Sequence, residues 1–413
     1  MEHNILFILG VIFLIAFFNK NISSFLKIPE VTGYVVIGVI SSTFLTFFIG
    51  RERVDHIIEN FHLIPTIALG IIAFTIGIEL KLNILKRMGK SIFFIVVWEC
   101  LGAFISVFAA LKIFGFETYK CLLFGAVASA TAPAATVAVI KQYKAKGSFT
   151  SYILAIVGID DAMALVIFAF AISFSKALIK GTSVNISDII ISTLVSIFFG
   201  VLLGMIFAGL YLLMLKKIRS NDIIQMLLIS FILMLLGISE QLHVSELLSI
   251  MSFGAILTNF SDVMTLKSEE IIEKFTGVFL GAFFILGGAH LDFLSVGGII
   301  VVGVIYFVSR SFGKIIGASF GANISGSSNI VKKYIGFALL PQVGVGLALA
   351  LSIKRTFDSK ILEAGKEVLV YGDKGSEVSY MILNILLFTT LITEVVGPML
   401  TRYALKKSGE IKD

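Results

Sequence analysis

Two adjacent acids, Asp160 and Asp161 in VGIDDAMAL, lie in the middle of an apolar run over residues 150–175. A carboxylate in such a run can take up a proton or hold a hard cation. A charge at the bilayer centre costs about 2.5–3.5 kcal/mol even on lenient insertion scales, so an ionisable residue there is a functional candidate by default. Ten residues into a helix, at about 1.5 Å each, is about 15 Å deep, half-way through a hydrocarbon core of about 30 Å. Neighbouring helix residues point about 100° apart. One carboxylate can therefore face an ion while the other faces a counter-charge.

Candidate counter-charges are Arg310 in YFVSRSFGKIIG, at matching depth, and Lys314 one turn later on the same face. Asp160 is the acid nearest in depth to Arg310. That pair reads equally well as a structural tie between helices or as part of a transport site. Two carboxylates beside one guanidinium leave a charge over, which makes Asp161 either a protonated acid or a cation receptor. Glu79 in FTIGIELKL, Glu99 in VVWECLG and Glu394 in LITEVVGPML read as structural, with Glu79 the nearest of the three to an ion-site role. His290, and His243 with Glu246, read as interface packing rather than as pH sensors.

The elements that hold these residues are membrane helices. Of 413 residues 57% are apolar and only 15% charged, against about 25% charged in soluble domains, which excludes an ordinary soluble fold. A net charge of +6 spread over the chain does not suggest a nucleic-acid surface, and two cysteines exclude a disulfide framework or a Cys-rich metal site. Apolar runs predict thirteen helices over residues 4–18, 31–49, 63–84, 91–113, 119–141, 150–175, 187–215, 222–239, 245–260, 273–290, 297–320, 332–353 and 378–404. The opening MEHNILFILG lacks a basic leader region, so the first run reads as a retained helix. Only a short polar tail is expected after the last. Basic residues crowd the loops after odd-numbered helices, which predicts an outside amino terminus and an inside tail.

Two of the predicted helices are interrupted. LLFGAVASATAPAATVAVI carries Pro133 with Ser129 and Thr131 nearby, and FALLPQVGVGLALAL carries Pro341, Gln342, Gly344 and Gly346. Proline removes a backbone donor and frees carbonyls. The breaks lie seven helices apart, an odd offset, so the two segments run in opposite directions. Paired broken helices in inverted halves point to a secondary-transporter site at the midplane. Thr131, Asp161 and the freed carbonyls would give a monovalent cation an all-oxygen shell, with Ser129, Gln342 and Glu79 in support.

These residues resemble the sodium/hydrogen exchanger superfamily of monovalent cation:proton antiporters. The likeness is carried by IPEVTGYVVIGVI, FTIGIEL, ATAPAATVAVIKQYKAKG, GIDDA, SRSFGKIIGA and TEVVGP, over nearly the whole chain. It implies an all-α fold of about thirteen membrane helices, with inverted repeats and two crossed broken helices. It implies a homodimer in a bacterial-type plasma (inner) membrane. Residues 63–175 and 273–404 would form a core domain, and 1–60 and 187–260 a dimerisation scaffold. Asp161 would be the shared cation and proton carrier, Na⁺ the first expected cation with K⁺ or Li⁺ as alternatives, and no cofactor would be needed. Asp160 falls where one branch has Asp and another Asn. Arg310 resembles the electroneutral branch, whereas double-acid members usually carry Lys in that later helix.

Rival readings have less support in the chain. Sodium-coupled symport of an organic anion needs a carboxylate-binding cluster, and only Arg310 offers one. An intramembrane protease dyad needs acids on two helices, whereas Asp160 and Asp161 are neighbours and the expected GxGD pattern is absent. No pore-loop signature or signalling domain supports a channel or a receptor.

Overall fold

The computed structural model describes residues 5–26, 30–61, 63–80, 82–181, 186–215, 218, 220–260, 262–290, 296–342, 344–363 and 366–411. The helices are α1 (Ile5–Leu26), α2 (Glu30–Ile49), α3 (Arg51–Glu59), α4 (Leu63–Glu79), α5 (Leu82–Ile113), α6 (Thr118–Ser129), α7 (Pro133–Gln142), α8 (Ser148–Lys180), α9 (Ile186–Leu215) and α10 (Asn221–Gln241). They continue with α11 (Glu246–Phe260), α12 (Asp262–Ala289), α13 (Val296–Ile324), α14 (Asn329–Tyr334), a 3-10 turn at Ile335–Leu339, α15 (Gly344–Phe357) and α16 (Gly372–Lys407). Each predicted apolar run falls on one of these helices or on a broken pair. Among the described residues seven helices are long and apolar enough to cross a membrane, and a pair bent by 49° about the break before Gly344 makes an eighth if it is one span. Gly33–Ile49, Leu63–Glu79, Glu246–Phe260 and Phe279–Ala289 are shorter apolar helices.

Two small elements escape the reading of apolar runs. Helix α3 is short and polar; it turns off α2 at Gly50, whose φ of 84° suits glycine. Arg51 anchors it, with Nη2 2.9 Å from Asp55 Oδ1 and 3.0 Å from the carbonyl of His290. The polar stretch before α16 forms a hairpin, β1 (Lys360–Glu363) with β2 (Lys366–Leu369), antiparallel and registered Lys360 to Leu369. Pairing satisfies backbone groups that a bare loop would leave to solvent.

Packing separates two groups. Helices α5, α6, α8 and α13 pack on one another, and α16 on α15, α13 and the 3-10 turn. The most extensive contact joins α5 to α13. It is close because Gly313, Gly317 and Gly321 meet the α5 backbone at Gly102, Trp98 and Phe94, leaving no space for a Cβ. Small residues at four-residue spacing let membrane helices approach in this way. The second group is built on α4 with α11 and α12, α12 with α2, and α9 with α11. Gly77 and Gly254 bring α4 and α11 together. Residues 63–79 and 262–289 thus pack on each other and on α2 and α11.

Candidate ion site

The site forms where the first group's two broken helices cross. Helix α6 stops at Ser129, Ala130 is extended (φ −67°, ψ 146°), and α7 restarts at Pro133, where a missing N–H costs nothing. Opposite, the 3-10 turn ends at Leu339 and α15 starts at Gly344. The two gaps touch directly, with Ala132 N–H donating to Pro341 O at 2.8 Å.

Arg310 does not pair with Asp160 as its depth suggested. Its Nε donates to Ala128 O at 3.0 Å, Nη2 to Ala130 O at 2.8 Å and Nη1 to Leu340 O at 2.7 Å. A fully buried guanidinium thus staples both gaps by their carbonyls. A planar fork of donors suits three acceptors at fixed angles in a way an ammonium does not. Gln342 adds a fourth cap, Nε2 to Val127 O at 2.7 Å, and itself accepts from Tyr306 O–H at 3.2 Å. Thr393 and Thr390 on α16 donate to Gln342 O at 3.0 and 3.4 Å. The carbonyls expected to coordinate an ion are therefore already engaged by protein donors. Ser129 likewise turns back to Ala126 O at 2.6 Å.

Lys314 is the counter-charge. Its Nζ lies 2.6 Å from Glu99 Oε2, 2.5 Å from Thr131 Oγ1 and 3.7 Å from Asp160 Oδ2, and Lys314, Glu99 and Asp160 are all fully buried. Arg310 and Lys314 share a face, but one turn decides which reaches the carboxylates. Cys100 joins the cluster, its thiol 3.1 Å from Glu99 Oε1. Thr131 gives its oxygen to Lys314, so its expected place beside a cation is already in use. Both oxygens of Asp160 and Oδ1 of Asp161 are buried without a hydrogen-bond partner. An orphaned carboxylate oxygen in a dry interior is costly unless a proton, an ion or water comes to it. Glu79 is exposed at the end of α4, near enough to act electrostatically on Asp161.

The cluster thus sets three acids, Glu99, Asp160 and Asp161, against two bases, Arg310 and Lys314. A family model described as "Sodium/hydrogen exchanger, transmembrane" matches residues 10–407. The chain belongs to this family. Among its relatives, the "Probable Na(+)/H(+) antiporter GerT" of Bacillus cereus is 23% identical over 349 residues, 83% of this chain and 89% of that one. The "K(+)/H(+) antiporter subunit KhtU" of Bacillus subtilis (strain 168) is 24% identical over 315 residues, 73% and 72% of the two chains. The fold is that of the sodium proton antiporter MjNhaP1 from Methanocaldococcus jannaschii at pH 8, with a TM-score of 0.77 at 19% identity over 97% and 98% of the chains.

For this exchanger the sequence had named most of the cluster but not its wiring. Glu99, read as structural, holds Lys314. Tyr306, Cys100, Thr390 and Thr393 were not singled out. The G-x-x-x-G-x-x-x-G spacing at 313, 317 and 321 carried the missing signal, because it lays α13 against α5 and brings Lys314 to Glu99. Glu394 is buried on α16. His290 closes onto Leu286 O at 2.8 Å. Glu246 pairs with Arg355 at 2.8 Å.

Proposed function

We propose that this exchanger carries out antiport of a monovalent cation against protons, with Asp161 as the shared carrier. The observation behind this reading is the charge count. Fully ionised, the buried cluster has one negative charge in excess, and the unpartnered oxygens belong to Asp160 and Asp161. One proton or one monovalent cation cancels that charge, and either load then lets the site cross a low-dielectric barrier. The empty site stays charged and costly to move, which couples the two fluxes. In this reading the α5–α8 and α13–α16 group moves against α1–α4 and α9–α12, the latter forming the face of a homodimer. The expected setting is a bacterial-type inner membrane with the amino terminus outside and the tail inside. Na⁺ is the first cation to test, and K⁺ the second.

Anion symport is the weaker reading, because Arg310, the guanidinium it would use, already donates to three carbonyls. The deciding measurement is proton flux driven by Na⁺, K⁺ or Li⁺ in proteoliposomes. The parent should exchange, and Asp161→Asn should exchange none of the three. Parental rates in that variant would remove Asp161 from the mechanism.

A further inference from the structure

Arg355 stands in the last turn of α15, at the opposite end from the break. Its neighbour Lys354 is taken up within the same group, 2.6 Å from Asp358, and Asp358 in turn accepts from Ser379 of α16 at 2.9 Å. Arg355 instead reaches across to the other group. Its Nη2 lies 2.7 Å from Glu240 Oε1 and its Nη1 2.8 Å from Glu246 Oε2. These acids flank the tight α10–α11 turn, which His243 makes with φ 54° and which Val244 N–H closes onto Ser239 O at 3.0 Å. The turn therefore holds two carboxylates for one guanidinium. The other ties that position the ion site, at Arg310, Lys314 and Ala132, run within a single group. Arg355 bonds the two groups to each other.

Two cavities meet at this bridge. One, of about 550 Å³, is lined by Lys176, Ser196, His243 and Tyr371 among others; the second, of about 730 Å³, by His56, His290 and Lys354. Leu69, Glu240, Arg355 and Ser359 line both, so the bridge is the partition between them. Arg355 is about one-third exposed and Glu240 more so. Half-solvated ion pairs shift an equilibrium by no more than about fivefold, a strength suited to a contact that must break in every cycle. Lys176 of α8 lines the first cavity, makes no ion pair among the described residues and feels the charge of Glu246.

We propose that the bridge from Arg355 to Glu240 and Glu246 is a gate on the face where α8, α10 and α15 end, closed in this structure and broken when the two helix groups shift during exchange. The gate rests on the antiport reading above, and the test separates the two. Cys100 and Cys121 are buried, so the double variant Glu246→Cys/Arg355→Cys presents two accessible thiols at the bridge. Joining them with a short bifunctional methanethiosulfonate reagent should reduce cation-driven proton flux in proteoliposomes to the level of protein-free vesicles, and reduction should restore it. Each single-cysteine variant treated alike should keep its flux. Bridged protein that exchanges like the single variants overturns the gate. A parent without flux for any cation overturns the antiport reading, and the gate with it. Arg355→Gln is the gentler probe. In vesicles of uniform orientation it should lower the half-saturating cation concentration on the gated face by up to about fivefold and raise it on the other. No change on either face counts against the gate.

Discussion

The two inverted halves share a plan and differ in charge. In α5–α8 a helix that packs on its counterpart carries Glu99, the next is broken at residues 130–132, and the next carries Asp160 and Asp161. In α13–α16 the matching helix carries Arg310 and Lys314, the next is broken before Gly344, and the next offers the hydroxyls of Thr390 and Thr393. The acids of the cluster thus come from one half and its bases from the other. Neither half could bury its own charges alone. Interlocking compensates all but one, and that remaining unit is what a proton or a cation can cancel. Symmetry of fold supplies the crossing, and asymmetry of charge supplies the carrier.

The largest effect should come from the residue that holds the halves together without touching an acid. Arg310→Lys keeps the charge but cannot serve Ala128, Ala130 and Leu340 together. Losing one partner of a buried charged network costs about 3–5 kcal/mol, and the freed carbonyls add to it. The melting temperature of the purified protein in detergent should fall sharply, with little folded material recovered. A variant melting with the parent would mean that the crossing holds without its staple.

A smaller effect is expected where base meets acid across the halves. Glu99→Gln leaves Lys314 with Thr131 Oγ1 and, at 3.7 Å, Asp160. The buried ammonium then draws on the carboxylate next to the proposed carrier. A loss of about 3 kcal/mol is expected from breaking the pair, together with slowed cation-driven flux. Adding Lys314→Met to Glu99→Gln should recover part of the stability but not the parental flux, because Asp160 then lacks the ammonium that stood 3.7 Å away. A double-mutant cycle on melting, read beside flux, checks this. Full recovery of both would reduce the pair to packing.

Much of this was legible beforehand because it follows from length and composition. A run of apolar residues long enough to cross, with Asp160 and Asp161 at its centre, needs no tertiary information, and neither do two prolines an odd number of helices apart. Direction around a helix axis was not legible. Arg310 and Lys314 lie four residues apart, so depth favoured Arg310 for Asp160, whereas the path of α13 against α5 gives that place to Lys314. Glu99 looked structural for the same reason, since its partner lies 215 residues away. Helix α3 and the hairpin at 360–369 carry too many charged residues to show as apolar runs. The packing of α4 on α11 depends on where Gly77 and Gly254 meet a neighbouring backbone.

The smallest expected effect tests a contact between the halves that involves no buried pair. Past the end of α16, Glu410 turns back to the start of α8, the helix that carries Asp160 and Asp161. Its carboxylate accepts from Phe149 N–H and Thr150 N–H at 2.8 Å each, and from Thr150 O–H at 2.6 Å. Gly147 lies directly beneath, where a Cβ would collide with the carboxylate. A negative group at a helix amino terminus satisfies orphan donors and opposes the helix dipole. Glu410→Ala should therefore cost about 1 kcal/mol, and Glu410→Gln, which keeps one acceptor oxygen but no charge, about half of that. Both variants should retain cation-driven flux, because the contact lies about 15 Å along α8 from the carriers. Melting curves for parent, Gln and Ala variants should fall in that order. If Gln melts with Ala, the charge matters more than the hydrogen bonds; if all three coincide, the tail does not couple the halves and the crossing at Arg310 holds them alone.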